Sequence, residues 1–179
     1  VTTAKSVLKS IDGGFTFNQI YSLPSNSVAA NIAVTPAAPD NFYVVYVPGI
    51  WDGNGYWQFG AIYKSTDAGA TFTTLADINS PVTIQNGYSC NNCTLGQQAI
   101  HQGRYDLTLA VSPTAPNEIW FGVVPLFSST DGGLTWRQEG NANTSVHVDH
   151  HATVFHPITG KVYIGCDGGL YRYTRATDT

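Results

Sequence analysis

Within five residues the stretch HVDHH places His147, Asp149, His150 and His151, and the earlier stretch HQGRYD sets Arg104, Tyr105 and Asp106 side by side. Imidazole and carboxylate together can move protons near neutral pH or ligate a divalent metal. Strict strand alternation would send His147, Asp149 and His151 to one face, a three-ligand set. A structural alternative stands beside it: Asp149 caps a turn, and Asp106, in the equivalent position one repeat earlier, makes the same structural bond. Two long loops add further candidates. PGIWDGNGYWQFG carries Trp51, Tyr56 and Trp57 among glycines, a composition suited to stacking on sugar rings or to a protein hot spot, or else to a local mini-core. The second holds Cys90 and Cys93, read as a local disulfide clipping the loop. A haem site would want His where Thr94 stands, and a zinc site would want a second Cys pair. Cys166, after the apolar run KVYIG, reads as a small buried hydrophobe. No catalytic carboxyl pair stands out.

The elements that must position these residues are strands. Apolar residues alternate or form short runs, such as NFYVVYVP, DLTLAVSP, EIWFGVV and KVYIGC, each closed by Gly, Pro, Asn or Asp, and helical periodicity is nearly absent. Two repeats order them. One is a strand, Pro-bearing turn and strand, written AVTPAAPDNFYVVY, AVSPTAPNEIWFGV and TVFHPITGKVYIGC. The other, Ser-x-Asp-x-Gly-x-Thr-aromatic, occurs three times, as KSIDGGFTF, KSTDAGATF and SSTDGGLTW. Its glycines suit the positive φ of a hairpin turn, while Asp12, Asp67 and Asp131 accept bonds from turn amides and hydroxyls. The following aromatics, Phe17, Phe72 and Trp136, are expected to pack between neighbouring units.

Together the repeats make four-stranded antiparallel units of about 40 to 50 residues, the period of propeller blades. The expected fold is an all-β partial propeller of three to four blades, with blade parts at 1–24, 25–80, 81–140 and 141–179. Because the chain begins on a third strand and ends within a blade, it is expected to be one segment of a larger propeller. The segments entering the inner strands of two successive blades then bring His101, Arg104, Tyr105 and Asp106 to one rim with His147, Asp149, His150 and His151.

Composition narrows the partners. Only 11% of the 179 residues are charged, against roughly a quarter in an average domain. The net charge is −4, with eight Lys plus Arg scattered singly, so no basic stripe exists for nucleic acid or anionic lipid. No apolar run is long enough for a membrane-spanning helix. Few charges, three cysteines and many small polar residues point to export, to the periplasm, the cell surface or the medium. The sequence contains no Met, so Val1 is read as the start of a mature or excised chain.

The three Asp motifs resemble the Asp-box, or BNR repeat, of β-propellers in the sialidase, xyloglucanase and sortilin-like superfamily. The surrounding pattern, QGRYDLTLAVSPTAPNEIWFGV followed by HVDHHATVFHPITGKVYIGCDGGLYRY, is similar to secreted bacterial BNR-like propellers labelled glycosyl hydrolases. This resemblance implies the propeller fold and a carbohydrate-related role. The arginine triad and Tyr–Glu pair of sialidases have no counterpart here, and the two glutamates, Glu118 and Glu139, read as turn or strand-edge residues. The favoured reading is a binding or scaffold module recognising a glycan or protein partner through its rim, where Trp51, Tyr56, Trp57, Arg104, Tyr105, Asp106 and His150 bind ligand. The remaining blades of its own propeller are the other expected partner. No cofactor is required, although His147, Asp149 and His151 could accommodate a divalent metal. Part of a glycoside hydrolase, or a purely structural component of an extracellular assembly, are the alternatives.

Overall fold

A computed structural model describes residues 1–49, 60–77, 84–85, 103–140 and 146–173. Trp51, Tyr56, Trp57, Cys90, Cys93 and His101 lie outside these residues. The described chain is all-β, in four sheets that follow chain order. The first pairs β1 (Ser6–Lys9) with β2 (Asn18–Ser22), and the second runs β3 (Ser27–Thr35), β4 (Ala38–Pro48), β5 (Ala61–Ser65), β6 (Thr73–Asp77). In the third, β8 (Thr108–Val111), β9 (Ile119–Gly122), β10 (Leu126–Ser129) and β11 (Trp136–Gly140) form an antiparallel blade. The short β7 (Ile84–Gln85) adds to its outer edge in parallel with β11, and a paired edge no longer offers free backbone groups to another chain. The fourth sheet is β12 (His150–Phe155), β13 (Val162–Cys166) and β14 (Gly169–Tyr173).

Each Asp motif occupies a hairpin: β1–β2 in the two-stranded first sheet, and the turn between the third and fourth antiparallel strands, β5–β6 and β10–β11, in the next two. In the first, Asp12 Oδ1 accepts from the Ser10 hydroxyl at 2.7 Å and the Thr16 amide at 2.9 Å, and Oδ2 accepts from the Thr16 hydroxyl at 2.5 Å. The Ser10 hydroxyl in turn accepts from the Gly14 amide at 2.8 Å. The same four bonds recur around Asp67 with Ser65, Gly69 and Thr71, and around Asp131 with Ser129, Gly133 and Thr135. Gly13 and Gly132 open the two glycine pairs at φ 77° and 78°, but the second motif places Ala68 in that position at φ 58°. At Gly133 the backbone approaches Leu75 of the preceding blade so closely that a Cβ would collide with its side chain.

Three apolar clusters hold the described residues together, and each lies across a blade boundary. Val7, Leu23 and Ile20 meet Val44, Tyr46 and Tyr63 at the first boundary. Tyr43, Val45, Ile62, Phe121, Phe127 and Trp136 fill the second. Trp120 and Leu126 pack on Val146, Val162 and Ile164 at the third. The third blade is therefore covered on both faces, and every residue of β8, β9 and β10 is buried. That explains why TLAV and IWFG lack inside-out alternation: both sides of the pleat are dry. The motif aromatics follow the same logic. Trp136 is 1% exposed, and Phe72 packs 4.5 Å from the Tyr21 ring across the first boundary, while Phe17 stays 46% exposed.

Polar bonds tie the inner strands. Asn31 Nδ2 donates to the Leu107 carbonyl oxygen at 3.3 Å, the Thr35 hydroxyl to Ser112 O at 2.6 Å, and the Thr108 and Thr153 hydroxyls lie 2.9 Å apart. Glu139, read from sequence as an edge residue, is instead buried. It accepts from the Ser128 hydroxyl and, at 2.6 Å, from the Tyr173 hydroxyl of the next blade.

Candidate functional site

The segments entering β8 and β12 converge, because the chain before β12 is pinned to the end of β9. The Asp149 amide donates to Val124 O and the His150 amide to Val123 O, each at 3.0 Å. His150 is completely buried, and its Nδ1 lies 3.1 Å from both the Val123 and the Val124 carbonyl oxygens, which requires a proton on Nδ1 and leaves Nε2 as an acceptor. Burial pushes its pKa down, so it is a neutral ring serving the blade boundary. Gly122 makes room for it, since a Cβ there would meet Thr108 and His150.

His151 faces outward. Its Nε2 lies 2.8 Å from Asp167 Oδ1, and its Nδ1 lies 3.2 Å from Asp106 Oδ1, a close approach without hydrogen-bond alignment. The bond to Asp167 is the main cause holding its pKa above the usual histidine value. Over this ring stands Tyr105, 75% exposed, in an edge-on contact with centroids 5.1 Å apart.

Asp106 has no solvent-exposed surface. Burial, then the charge of Asp149, push its pKa up to about 6, while His151 opposes the rise. Asp149 adopts a left-handed backbone, φ 65°, which Asp tolerates better than most residues. Its carbonyl accepts from the Asp167 amide at 3.2 Å, bringing the β13–β14 turn to the site. Among the described residues, the buried side-chain polar atoms with no hydrogen-bond partner are Asp106 Oδ1 and Oδ2, Asp149 Oδ1 and His150 Nε2. All four belong to this one place.

The structure thus gathers Tyr105, Asp106, Asp149, His150 and His151, with Arg104 exposed at the edge of the group. His147 is exposed: its Nδ1 bonds the neighbouring Val148 carbonyl at 3.1 Å, and the base of its side chain lies against Gly168 of the β13–β14 turn. The alternation expected over His147, Asp149 and His151 does not hold, because β12 starts only at His150 and the left-handed Asp149 breaks the extended run. Among the described residues, no group of three His, Cys, Asp or Glu side chains is placed to hold a metal ion. Asp167 is the member that sequence reasoning missed. It sits in CDGG, between β13 and β14, and its side chain turns to His151.

Four radially packed sheets, Asp motifs at equivalent outer hairpins and a rim built from inner-strand entries define part of a β-propeller. No protein-family model matches the chain, and no curated protein matches it significantly. Among solved structures it is similar to a GH74 enzyme of Niastella koreensis, at 27% identity and a TM-score of 0.51 over 83% of this chain. The match takes in 21% of that enzyme, so the chain spans about a fifth of its length. Weaker likenesses are to YCF48 from Cyanidioschyzon merolae, 11% identical with TM-score 0.39 over 87% of this chain and 56% of that one. A YCF48 bound to a D1 peptide follows, 18% identical with TM-score 0.29 over 96% and 72%. No helix among the described residues is long and apolar enough to cross a membrane.

Proposed function

We propose that this propeller segment is a binding module that recognises a neutral glycan at the rim formed by Tyr105, His151 and Asp167. The observation that carries this reading is the Tyr105 ring, 75% exposed and braced edge-on by His151, beside the open Asp167 carboxylate. An exposed aromatic face offers a stacking surface, and the Asp167 carboxylate offers an acceptor for sugar hydroxyls. Asp106, Asp149 and Asp167 crowd negative charge here, which disfavours the carboxylated sugars that sialidases take. A hydrolase reading has less support: a general acid must come within hydrogen-bond reach of the glycosidic oxygen, and Asp106, the group with the acid-like pKa, has no exposed surface. Protein-partner recognition at the same rim remains the competing form of the binding reading.

Calorimetric titration of neutral and acidic oligosaccharides into the wild-type chain and the Tyr105→Ala variant tests it. Neutral oligosaccharides should bind, and loss of the ring should weaken them at least about tenfold, the equivalent of ~1.4 kcal/mol. Unchanged binding by Tyr105→Ala, or a preference for acidic sugars, overturns the proposal.

A further inference from the structure

One contact recurs between blades and pairs an Asp motif with the blade before it. At the second motif Gly69 lies against Ile20 of the first sheet, and at the third Gly133 lies against Leu75 of the second, each so closely that a Cβ would collide with the aliphatic side chain. Ile20 and Leu75 hold the same place in their blades, three residues after the motif aromatic, Phe17 or Phe72. A lysine accompanies each. Lys9 Nζ donates to the Ala68 carbonyl oxygen of the next motif at 2.8 Å, and Lys64 Nζ lies 3.4 Å from the Cβ position of Gly132, the counterpart of Ala68. The third blade faces a turn that has Gly165 and Tyr171 where the motif has Ser and Thr, and it carries neither device: Ser128 stands at the lysine position and Glu139 at the aliphatic one. Aliphatic side chain and lysine are thus present where the next blade has the motif, and absent where it does not.

The first motif has the receiving half of this contact without the inserted half. Apart from its chain neighbours, nothing among the described residues lies within 4 Å of the Cβ position at Gly14, the counterpart of Gly69 and Gly133. Phe17 is 46% exposed and Phe15 is 90% exposed. We propose that Gly14 and Phe17 form an open socket for a further blade of the same kind, whose fourth strand presents Ile or Leu three residues after its own motif aromatic and whose third strand ends in Lys. The aliphatic side chain fills the space over Gly14 against the Phe17 ring, and the ammonium reaches the Gly13 carbonyl oxygen, the counterpart of Ala68. The described residues of a second copy do not supply this partner. Their Ile20 and Leu75 are already seated on Gly69 and Gly133, and Glu139 is held by Ser128 and Tyr173. The socket belongs to the first sheet, so it is independent of the glycan reading at the rim of the third and fourth.

Amide NMR of the full chain, titrated with a synthetic peptide of the Tyr63–Asp77 sequence, tests the socket, because that peptide carries the lysine, the motif and the leucine. A control peptide bears Leu75→Asp. Saturable shifts at Gly13, Gly14 and Phe17 are expected, weakened at least about tenfold by the control peptide and by Phe17→Ser in the chain, as the loss of one buried apolar side chain requires. No saturable shift up to about 1 mM peptide, or equal shifts with both peptides, overturns the proposal. So does concentration-dependent dimerisation of the chain alone that Phe17→Ser abolishes, since the occupant would then be a second copy. Urea denaturation supplies a further check: Phe17→Ser should leave the midpoint of the free chain unchanged, whereas Phe72→Ser, in a filled socket, should lower it. Equal losses in the two variants would mean that the first socket is filled from within the chain, and the proposal falls.

Discussion

His150 and Val123 are joined twice: the His150 amide donates to the Val123 carbonyl oxygen at 3.0 Å, and the ring Nδ1–H reaches the same oxygen at 3.1 Å. A histidine that by type belongs among ligands is here a fastener between blades. Its neutrality follows from burial, and its neighbour His151 keeps the solvent-facing role.

Replacing His150 by Ala should therefore destabilise the fold by about 2–4 kcal/mol, through a cavity at the blade boundary and the loss of the ring Nδ1–H contact with the Val123 and Val124 carbonyls. Urea denaturation midpoints measure this. A loss below about 0.5 kcal/mol, the range of ordinary surface substitutions, would show that the double bond to Val123 is dispensable.

Ala68 occupies a left-handed position, φ 58°, where the first and third motifs have glycine. An L-residue there costs about 1–2 kcal/mol, and glycine's extra chain entropy offsets about 0.5–1 kcal/mol. Ala68→Gly is expected to raise stability by about 0.5–1 kcal/mol, read from the same denaturation curves, whereas the same change at an extended position should lower it.

The Thr71 hydroxyl, the Thr71 amide and the Ser65 hydroxyl hold Asp67 down to about 2 from its usual 3.8. A folded-state pKa below the unfolded value gives stability that is present above about pH 4 and lost as pH falls through about 2. Thr71→Val removes the first of these donors. The stability gap between wild type and variant should be open at pH 6 and narrow steadily between pH 4 and pH 2; a gap that does not change with pH would assign the effect to packing instead.

His151 shows the opposite sign. Its pKa is raised, chiefly by the bond to Asp167, so its contribution is present at acidic pH and disappears as pH rises through the folded value. In Asp167→Asn the imidazole titration, followed by proton NMR, should move downward, and the melting temperature should fall more at pH 5 than at pH 8. An unmoved titration would mean that Asp167 and His151 do not interact in solution.

The Asp motifs were legible because their bonds are local: Ser, Asp, Gly and Thr sit within seven residues and interact with one another, so types and spacing carry the geometry. The convergence of Asp106 with Asp149 was legible from topology, since repeats in register send equivalent segments to one rim. Legibility ended where a single backbone angle or a distant partner decided the outcome. The left-handed Asp149 interrupts the extended run that strict alternation from His147 assumed. Asp167 was missed because its partner, His151, is 16 residues away on a neighbouring strand. Glu139 looked like an edge residue because Tyr173, which buries it, belongs to the next blade.

Because each of the three apolar clusters is shared by two blades, none of the described sheets owns a core of its own. Stability in such an array is carried by nearest-neighbour coupling rather than by autonomous modules. Losing the third blade would therefore strip one wall from the second and one from the fourth at once, and cutting the chain between β6 and β8 would leave two halves that each expose half an interface. Unfolding should travel from blade to blade as a cooperative front, starting from the outer sheets, where only one flank is covered among the described residues.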